Sequence, residues 1–134
     1  KMPKVNLSIR TLNTTDFYPF KSIYSKLAMT AHILYSKIDS KNISTFSNKI
    51  IKRIIRKKIG FKGILLSDDL CMKALKGSYF NRAKKARNAG CDILLHCDGN
   101  LSNTYNSYLG AGFVSKSLLR KIHLVKKLIS NKKN

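Results

Sequence analysis

Gly60-Phe61-Lys62-Gly63-Ile64-Leu65-Leu66-Ser67-Asp68-Asp69-Leu70-Cys71-Met72 is the stretch on which the fold turns. Three aliphatic residues stand between Gly63 and Ser67, and the run stops at two carboxylates. An unbroken apolar run of this length predicts a strand buried on both faces, as in a parallel sheet covered by helices; a half-exposed strand would alternate.

The flanks carry the same pattern outward. Upstream, Ser47 is placed to cap an amphipathic helix that ends at Gly60. Ile50, Ile51, Ile54, Ile55 and Ile59 recur at helical spacing, and Lys49, Lys52, Arg53, Arg56 and Lys57 take the other side. That basic side reads as a solvated face in preference to a phosphate-binding stripe. Residues 27–35 are apolar and predict one strand, followed by a polar loop over 36–45. Residues 1–13 read as a loop, and Thr14 or Thr15 is a cap for a short helix carrying Phe17, Phe20 and Tyr24, with Pro19 in its first turn. Downstream, Ser78 opens a helix that Gly90 closes. A third strand is expected over 91–96, then polar residues 98–107 and a weak helical stretch. Ser115 caps a last helix with Leu118, Leu119, Ile122, Val125 and Ile129, and the tail 131–134 is expected to fray.

Strands alternating with helices, without hairpin signals, predict an α/β fold with a parallel sheet and right-handed crossovers. Three strands leave unpaired edges, and a complete barrel of this class takes about 250 residues. The 134 residues therefore read as part of one larger domain.

Composition removes several chemistries. All six acids are Asp, so a helical HExxH zinc site, a Glu-x-x-His di-iron site and a paired-Glu glycosidase are excluded. No apolar run is long enough to predict a transmembrane helix, and no secretory signal is visible. Three cysteines without CxxC spacing read as free thiols, which places the protein in a reducing, cytoplasmic setting. The formal net charge of +21 raises nucleic acid or an anionic membrane as partner. The basic residues are scattered, however, and Lys, Asn and Ile are abundant together, as an AT-rich coding sequence produces. There is no aromatic RNA-binding pattern or metal-finger spacing. Neither membrane nor nucleic acid is expected, and a polyanion-binding module is the alternative.

In parallel α/β folds reactive groups gather at the carboxyl ends of strands. Those ends present Thr30 and His32, then Ser67-Asp68-Asp69, then His96, Cys97 and Asp98. Neighbouring side chains on a strand point to opposite faces, so one of Asp68 and Asp69 faces the pocket while the other holds a turn or pairs with a base. An Asp at a strand end is also an ordinary helix cap; two of six acids placed together tip the reading towards function. Cys91 and Cys97 sit at opposite ends of one strand, which argues against a metal site shared with His96, so no metal is expected. Cys97 adjoins His96 and would face away from it, which argues against a nucleophile pair. Gly110-Ala111-Gly112 follows no strand and is weak evidence for phosphate binding. No cofactor is expected.

The segment 60–72 resembles the nucleophile segment of family 3 glycoside hydrolases, and most closely the family's bacterial β-N-acetylhexosaminidases of peptidoglycan recycling, with the pattern G-F-x-G-(apolar)3-S-D-D-L-x-M. Met29-Thr30-Ala31-His32-Ile33-Leu34-Tyr35 resembles their M-T-A-H-(apolar)2-Y strand. Asp16-Phe17-Tyr18-Pro19-Phe20 resembles D-x-x-P-F, and Asn88-Ala89-Gly90-Cys91-Asp92-Ile93-Leu94-Leu95-His96-Cys97 resembles A-G-x-D-(apolar)3-x-C. The four segments stand in the family's order, from about residue 3 to 123.

The resemblance implies a partial (β/α)8 TIM barrel of three or four βα units, with residues 1–134 the C-terminal part of a single barrel domain whose N-terminal half is missing. It implies a retaining β-N-acetylhexosaminidase removing terminal β-linked N-acetylglucosamine from muropeptides, with Asp68 as nucleophile. Ser67 and Asp69 would support the turn, His32 would line the sugar pocket or orient a neighbour, and Met72 would form pocket wall or core. The family's acid/base His-Asp pair lies in a K-H-x-P-G-H-G loop upstream of D-x-x-P-F, and no Gly-His-Gly occurs here. The expectation is the C-terminal half of such an enzyme, inactive by itself, with a basic non-catalytic remnant or polyanion-binding module, or a split enzyme completed by a separately encoded N-terminal half, as the alternatives.

Overall fold

Two pairs of short parallel strands carry the carboxylates. The structure, a computed structural model, describes residues 2–130; Lys1 and 131–134, with the expected fraying, lie outside the described residues. Strand β1 (Lys4–Val5) pairs with β3 (Leu34–Tyr35), and β2 (Leu27–Met29) pairs with β4 (Ile64–Leu66), Ala28 standing opposite Leu65. Around them lie α1 (Ile9–Thr14), α2 (Tyr18–Lys21), α3 (Tyr79–Ala89), α4 (Leu101–Ala111) and α5 (Lys116–Ser130). A 3-10 turn spans Ser44–Phe46 and a wide, π-type helix spans Lys49–Lys58. Both strand pairs are parallel and separated by helices, as the α/β reading requires.

The expected strand over 27–35 is two strands in different pairs. The chain leaves β2 at Thr30, whose N–H still donates to the Leu66 carbonyl (2.9 Å), and resumes at Leu34, which donates to the Pro3 carbonyl. Between them Thr30 and His32 turn inward and are buried. Their polar groups need partners that a strand ladder does not supply. Residues 1–13 are not a loop, because β1 partners β3 and Ser8 accepts from Thr11 N–H to start α1. Neither Thr14 nor Thr15 caps α2, since both hydroxyls turn back to the Thr11 carbonyl; Pro19 does sit in its first turn.

The third strand is reduced to one parallel bridge, Leu66 to Ile93. Side chains replace the ladder at both ends of the segment. The Asp92 carboxylate accepts from Leu65 N–H (2.9 Å), and Ser67 Oγ accepts from Leu95 N–H (2.9 Å).

The serine caps are in place at three helices. Ser47 Oγ accepts from Ile50 N–H, Ser78 Oγ from Asn81 N–H, and Ser115 Oγ from Leu118 N–H. Gly90 closes α3 at φ +116°, a left-handed conformation that favours glycine. α4, capped by Asn100, is a full helix where a weak stretch was expected. At Gly110 it lies so close to the Phe80 carbonyl that a Cβ would collide, so this glycine serves close packing with α3.

The main core joins Ile43, Ile51, Leu65, Leu70, Leu75, the three alanines of α3 and Cys91; Leu12, Phe17 and Ile54 form a second cluster. The wide helix contributes to both. Arg56, expected on its solvated face, turns inward instead: its guanidinium donates to the Phe61 and Gly63 carbonyls and pairs with Asp92 at 2.6 Å.

Candidate active site

Leu66 ends β4, and the chain then folds over itself from Ser67 to Met72. Ser67 is fully buried and spends its hydroxyl on Leu95 N–H, tying this strand end to the neighbouring segment. The Asp68 N–H donates to Thr30 Oγ1 (3.2 Å), and Asp68 Oδ1 accepts from Asp69 N–H (2.8 Å). Among the described residues, Asp68 Oδ2 has no hydrogen-bond partner and no cation pairs with the carboxylate. Asp69 ties two segments together through one oxygen, its Oδ1 accepting from Cys71 N–H (2.9 Å) and Cys97 N–H (3.2 Å). Each carboxylate has one oxygen without a hydrogen-bond partner among the described residues; they differ in that Asp69 joins the turn to residue 97 while Asp68 bonds only the next amide.

Beneath the turn runs a buried polar relay. Thr30 Oγ1 bonds Thr45 Oγ1 (3.0 Å), which bonds His32 Nδ1 (2.9 Å). His32 Nε2 meets the Asp69 carbonyl at 2.8 Å. A carbonyl only accepts, so Nε2 carries the proton there. His32 is 3% exposed with both ring nitrogens occupied, which places it under the carboxylates and not at the mouth above them. Met72 is exposed at 43%, so it is no part of the core.

The relay returns to its start. Asp68 N–H, Thr30, Thr45, His32 and the Asp69 carbonyl bracket the two carboxylate residues, so the backbone on either side of the Asp68 side chain is held from below. Thr45 is its centre, and nothing local in the sequence marks it: it lies in a polar stretch whose partners are 13 and 15 residues away.

The third group, His96, Cys97 and Asp98, splits. Cys97 lends its N–H to Asp69 and to Cys71 Sγ (3.2 Å). His96 turns away from the carboxylates, with Nε2 on Asp98 Oδ1 (2.8 Å), Nδ1 on Ser107 Oγ (2.9 Å) and Tyr79 edge-on at 5.0 Å. Hydrogen bonds from Asn100 N–H, Asn103 and His96 hold the Asp98 carboxyl below its ordinary range. Cys71, His96 and Asp98 bring one ligand atom each within 4.8 Å of the others. The expectation of no metal weighed Cys91 as partner of His96; the residue that arrives is Cys71. Cys91 lies elsewhere, with burial pushing its thiol up to about 12, which leaves it neither nucleophile nor ligand.

An ion cluster that the sequence did not reveal fixes the opposite end of β4. Asp92 receives Leu65 N–H, Arg56 and Lys121 (3.1 Å). Burial works against its charge, but these donors and cations more than offset it and hold the carboxyl below its ordinary value.

The family model of the glycosyl hydrolase family 3 N-terminal domain matches residues 1–128. A beta-hexosaminidase of Tolumonas auensis is 40% identical over 102 residues, covering 72% of this chain and 30% of that protein. A beta-hexosaminidase of Haemophilus influenzae is 44% identical over 89 residues, covering 62% of this chain and 25% of that protein. Among solved structures, the beta-N-acetylglucosaminidase of Thermotoga maritima superposes with a TM-score of 0.74 at 35% identity, over 96% of this chain and 31% of that one. The chain thus spans less than a third of the length of these three relatives.

Proposed function

The chain belongs to glycosyl hydrolase family 3, and we propose that it supplies the nucleophile of a retaining β-N-acetylhexosaminidase. Asp68 attacks the anomeric carbon of a terminal β-linked N-acetylglucosamine, the glycosidic bond to the leaving oxygen breaks, and water later releases the sugar from the covalent ester. The observation that carries this reading is the state of Asp68: backbone pinned on both sides, Oδ1 oriented by the next N–H, Oδ2 free among the described residues. A nucleophile must be aimed with little freedom left to lose at the moment of attack. His32 acts through the turn, as a positioning residue, and Ser67 and Asp69 hold the same turn from the sides. Met72, exposed beside it, contributes apolar wall.

The reaction also needs a group that protonates the leaving oxygen and then activates water. That group comes from outside this chain, and so do the strands that cover the open edges of the β1–β3 and β2–β4 pairs. The described unit is one part of a single barrel domain, completed by the rest of a longer polypeptide or by a separately encoded half. Muropeptide-derived sugars as substrate rest on the Ser-Asp-Asp-Leu-x-Met and Thr-Ala-His blocks together. A reducing, cytoplasmic setting fits three unpaired thiols.

The test is turnover of an aryl N-acetylglucosaminide and of a muropeptide by the complete enzyme carrying Asp68→Ala. Loss of both activities with an unchanged melting temperature is expected; retained turnover would disprove the assignment.

A further inference from the structure

Three residues beside the candidate nucleophile belong to no step above. Cys71 sits in the turn that follows Asp69, while His96 and Asp98 lie on the segment running parallel to β4. Sequence spacing does not connect them, since Cys71 is 26 residues from the Cys97 N–H that meets its sulfur. The fold brings a thiol, an imidazole nitrogen and a carboxylate oxygen within 4.8 Å of one another.

We propose that Cys71, His96 and Asp98 bind a zinc ion, with a fourth position left for water or an external ligand. The donor set matches zinc, a borderline-soft ion that takes Cys sulfur at about 2.3 Å and His nitrogen or carboxylate oxygen at about 2.0–2.2 Å. Around a tetrahedral ion with bonds of about 2.0 Å, His96 Nε2 and Asp98 Oδ1, which bond each other at 2.8 Å, would part to about 3.3 Å to admit the metal between them and the sulfur. A thiolate and a carboxylate balance its two positive charges, which matters in a chain whose other acids are few.

The surroundings orient the ligands as outer-shell partners do at metal sites. Ser107 Oγ holds His96 Nδ1 at 2.9 Å, which directs Nε2 into the cluster. Asn100 N–H binds Asp98 Oδ1 and Asn103 binds Oδ2 (2.7 Å), fixing the carboxylate plane. Tyr79 packs edge-on against the imidazole and is itself covered by Arg82, whose carbon lies 5.0 Å from the ring centroid. Zinc replaces the Cys71 thiol proton, so one proton leaves for solvent as the sulfur–metal bond forms, and affinity rises with pH. Bound there, the ion would clamp the turn bearing Asp68 to the 96–98 segment.

The complete polypeptide that carries this chain is titrated with Co2+ as a spectroscopic probe and then with Zn2+. One equivalent of Co2+ should give a near-ultraviolet thiolate-to-metal charge-transfer band that Zn2+ removes, and one zinc should survive dialysis. Cys71→Ser should abolish the band, His96→Ala should raise the zinc Kd at least about 100-fold, and Ser107→Ala about 10-fold. Cys97→Ser should leave the band in place. The proposal is overturned if no metal binds, if the band survives Cys71→Ser, or if zinc is lost in Asp68→Asn but kept in Cys71→Ser. Should Cys71→Ser fail to fold, alkylation of the unaltered protein decides: saturating zinc must protect Cys71, and equal labelling with and without zinc refutes the site.

Discussion

The two ends of β4 hold aspartates in opposite conditions. At the amino end, Asp92 is surrounded: Leu65 N–H, Arg56 and Lys121 all converge on one oxygen, Oδ2. At the carboxyl end, Asp68 has its backbone held from below, and among the described residues its carboxylate meets one neighbouring amide and no cation. A carboxylate surrounded by donors stabilises the fold and is poorly available as a nucleophile, whereas one held by its backbone contributes little stability and remains free to react.

Substitutions should therefore separate activity from stability along one strand. The largest effect is expected at Asp68, where Ala removes turnover of the complete enzyme and shifts its urea midpoint little. Asp92→Ala should do the reverse, costing about 2–3 kcal/mol by urea titration because Leu65 N–H loses its acceptor and two half-buried cations lose their partner. Equal stability losses at the two positions would erase the contrast.

Thr45→Val sharpens it from a third side. Removing the hydroxyl at the centre of the relay strands His32 Nδ1 and should cost about 1–3 kcal/mol. It should also lower kcat, since the turn loses its support while the carboxylate stays. A stability loss with unchanged kcat would mean that the relay only packs.

Acid should act on the surrounded carboxylates. Burial raises the Asp39 carboxyl, but hydrogen bonds from Ser47, Lys41 N–H and Asn42 outweigh it and hold the group low, as Asp92 is held. Groups depressed in the folded state contribute stability that is full above the unfolded carboxylate value of about 3.9 and lost as pH falls through the folded one. The urea midpoint should stay level from about pH 7 to 5 and fall below about pH 4. The fall should be shallower in Asp92→Ala. The smallest effect is expected at Lys52, exposed on the wide helix, where Gln should change stability by less than about 0.5 kcal/mol.

What the sequence disclosed follows from where the partners of each group lie. Ser47, Ser78 and Ser115 could be read because a cap bonds an amide two or three residues on. The 64–66 strand could be read because burial on both faces leaves a continuous apolar run. The break in 27–35 was hidden because Thr30 and His32 turn inward to meet Thr45, far along the chain. The helical position of Arg56 points to solvent, while its partner Asp92 is 36 residues away. The 91–96 segment falls short of a strand because side chains of Asp92 and Ser67 take amides that a regular ladder would have paired. α1 is invisible in the sequence although Ser8 and Thr11 stand at cap spacing, because its six residues bury only Leu12 and leave no apolar period.

The pairing of β2 with β4 also sets an order of events during synthesis. Leu27 meets Ile64, so a ribosome adding about 5–20 residues per second exposes β2 for roughly 2–7 s before its partner exists. Leu27 and Met29 remain about half exposed even after pairing. For those seconds the nascent chain offers an apolar strand edge with nothing to close it, and the carboxylate turn cannot be positioned until Thr30, Thr45 and His32, all made earlier, receive Asp68 and Asp69. The site is thus assembled from contacts that span dozens of residues, a topology that folds more slowly than one built from local contacts and gives a chaperone its natural point of entry.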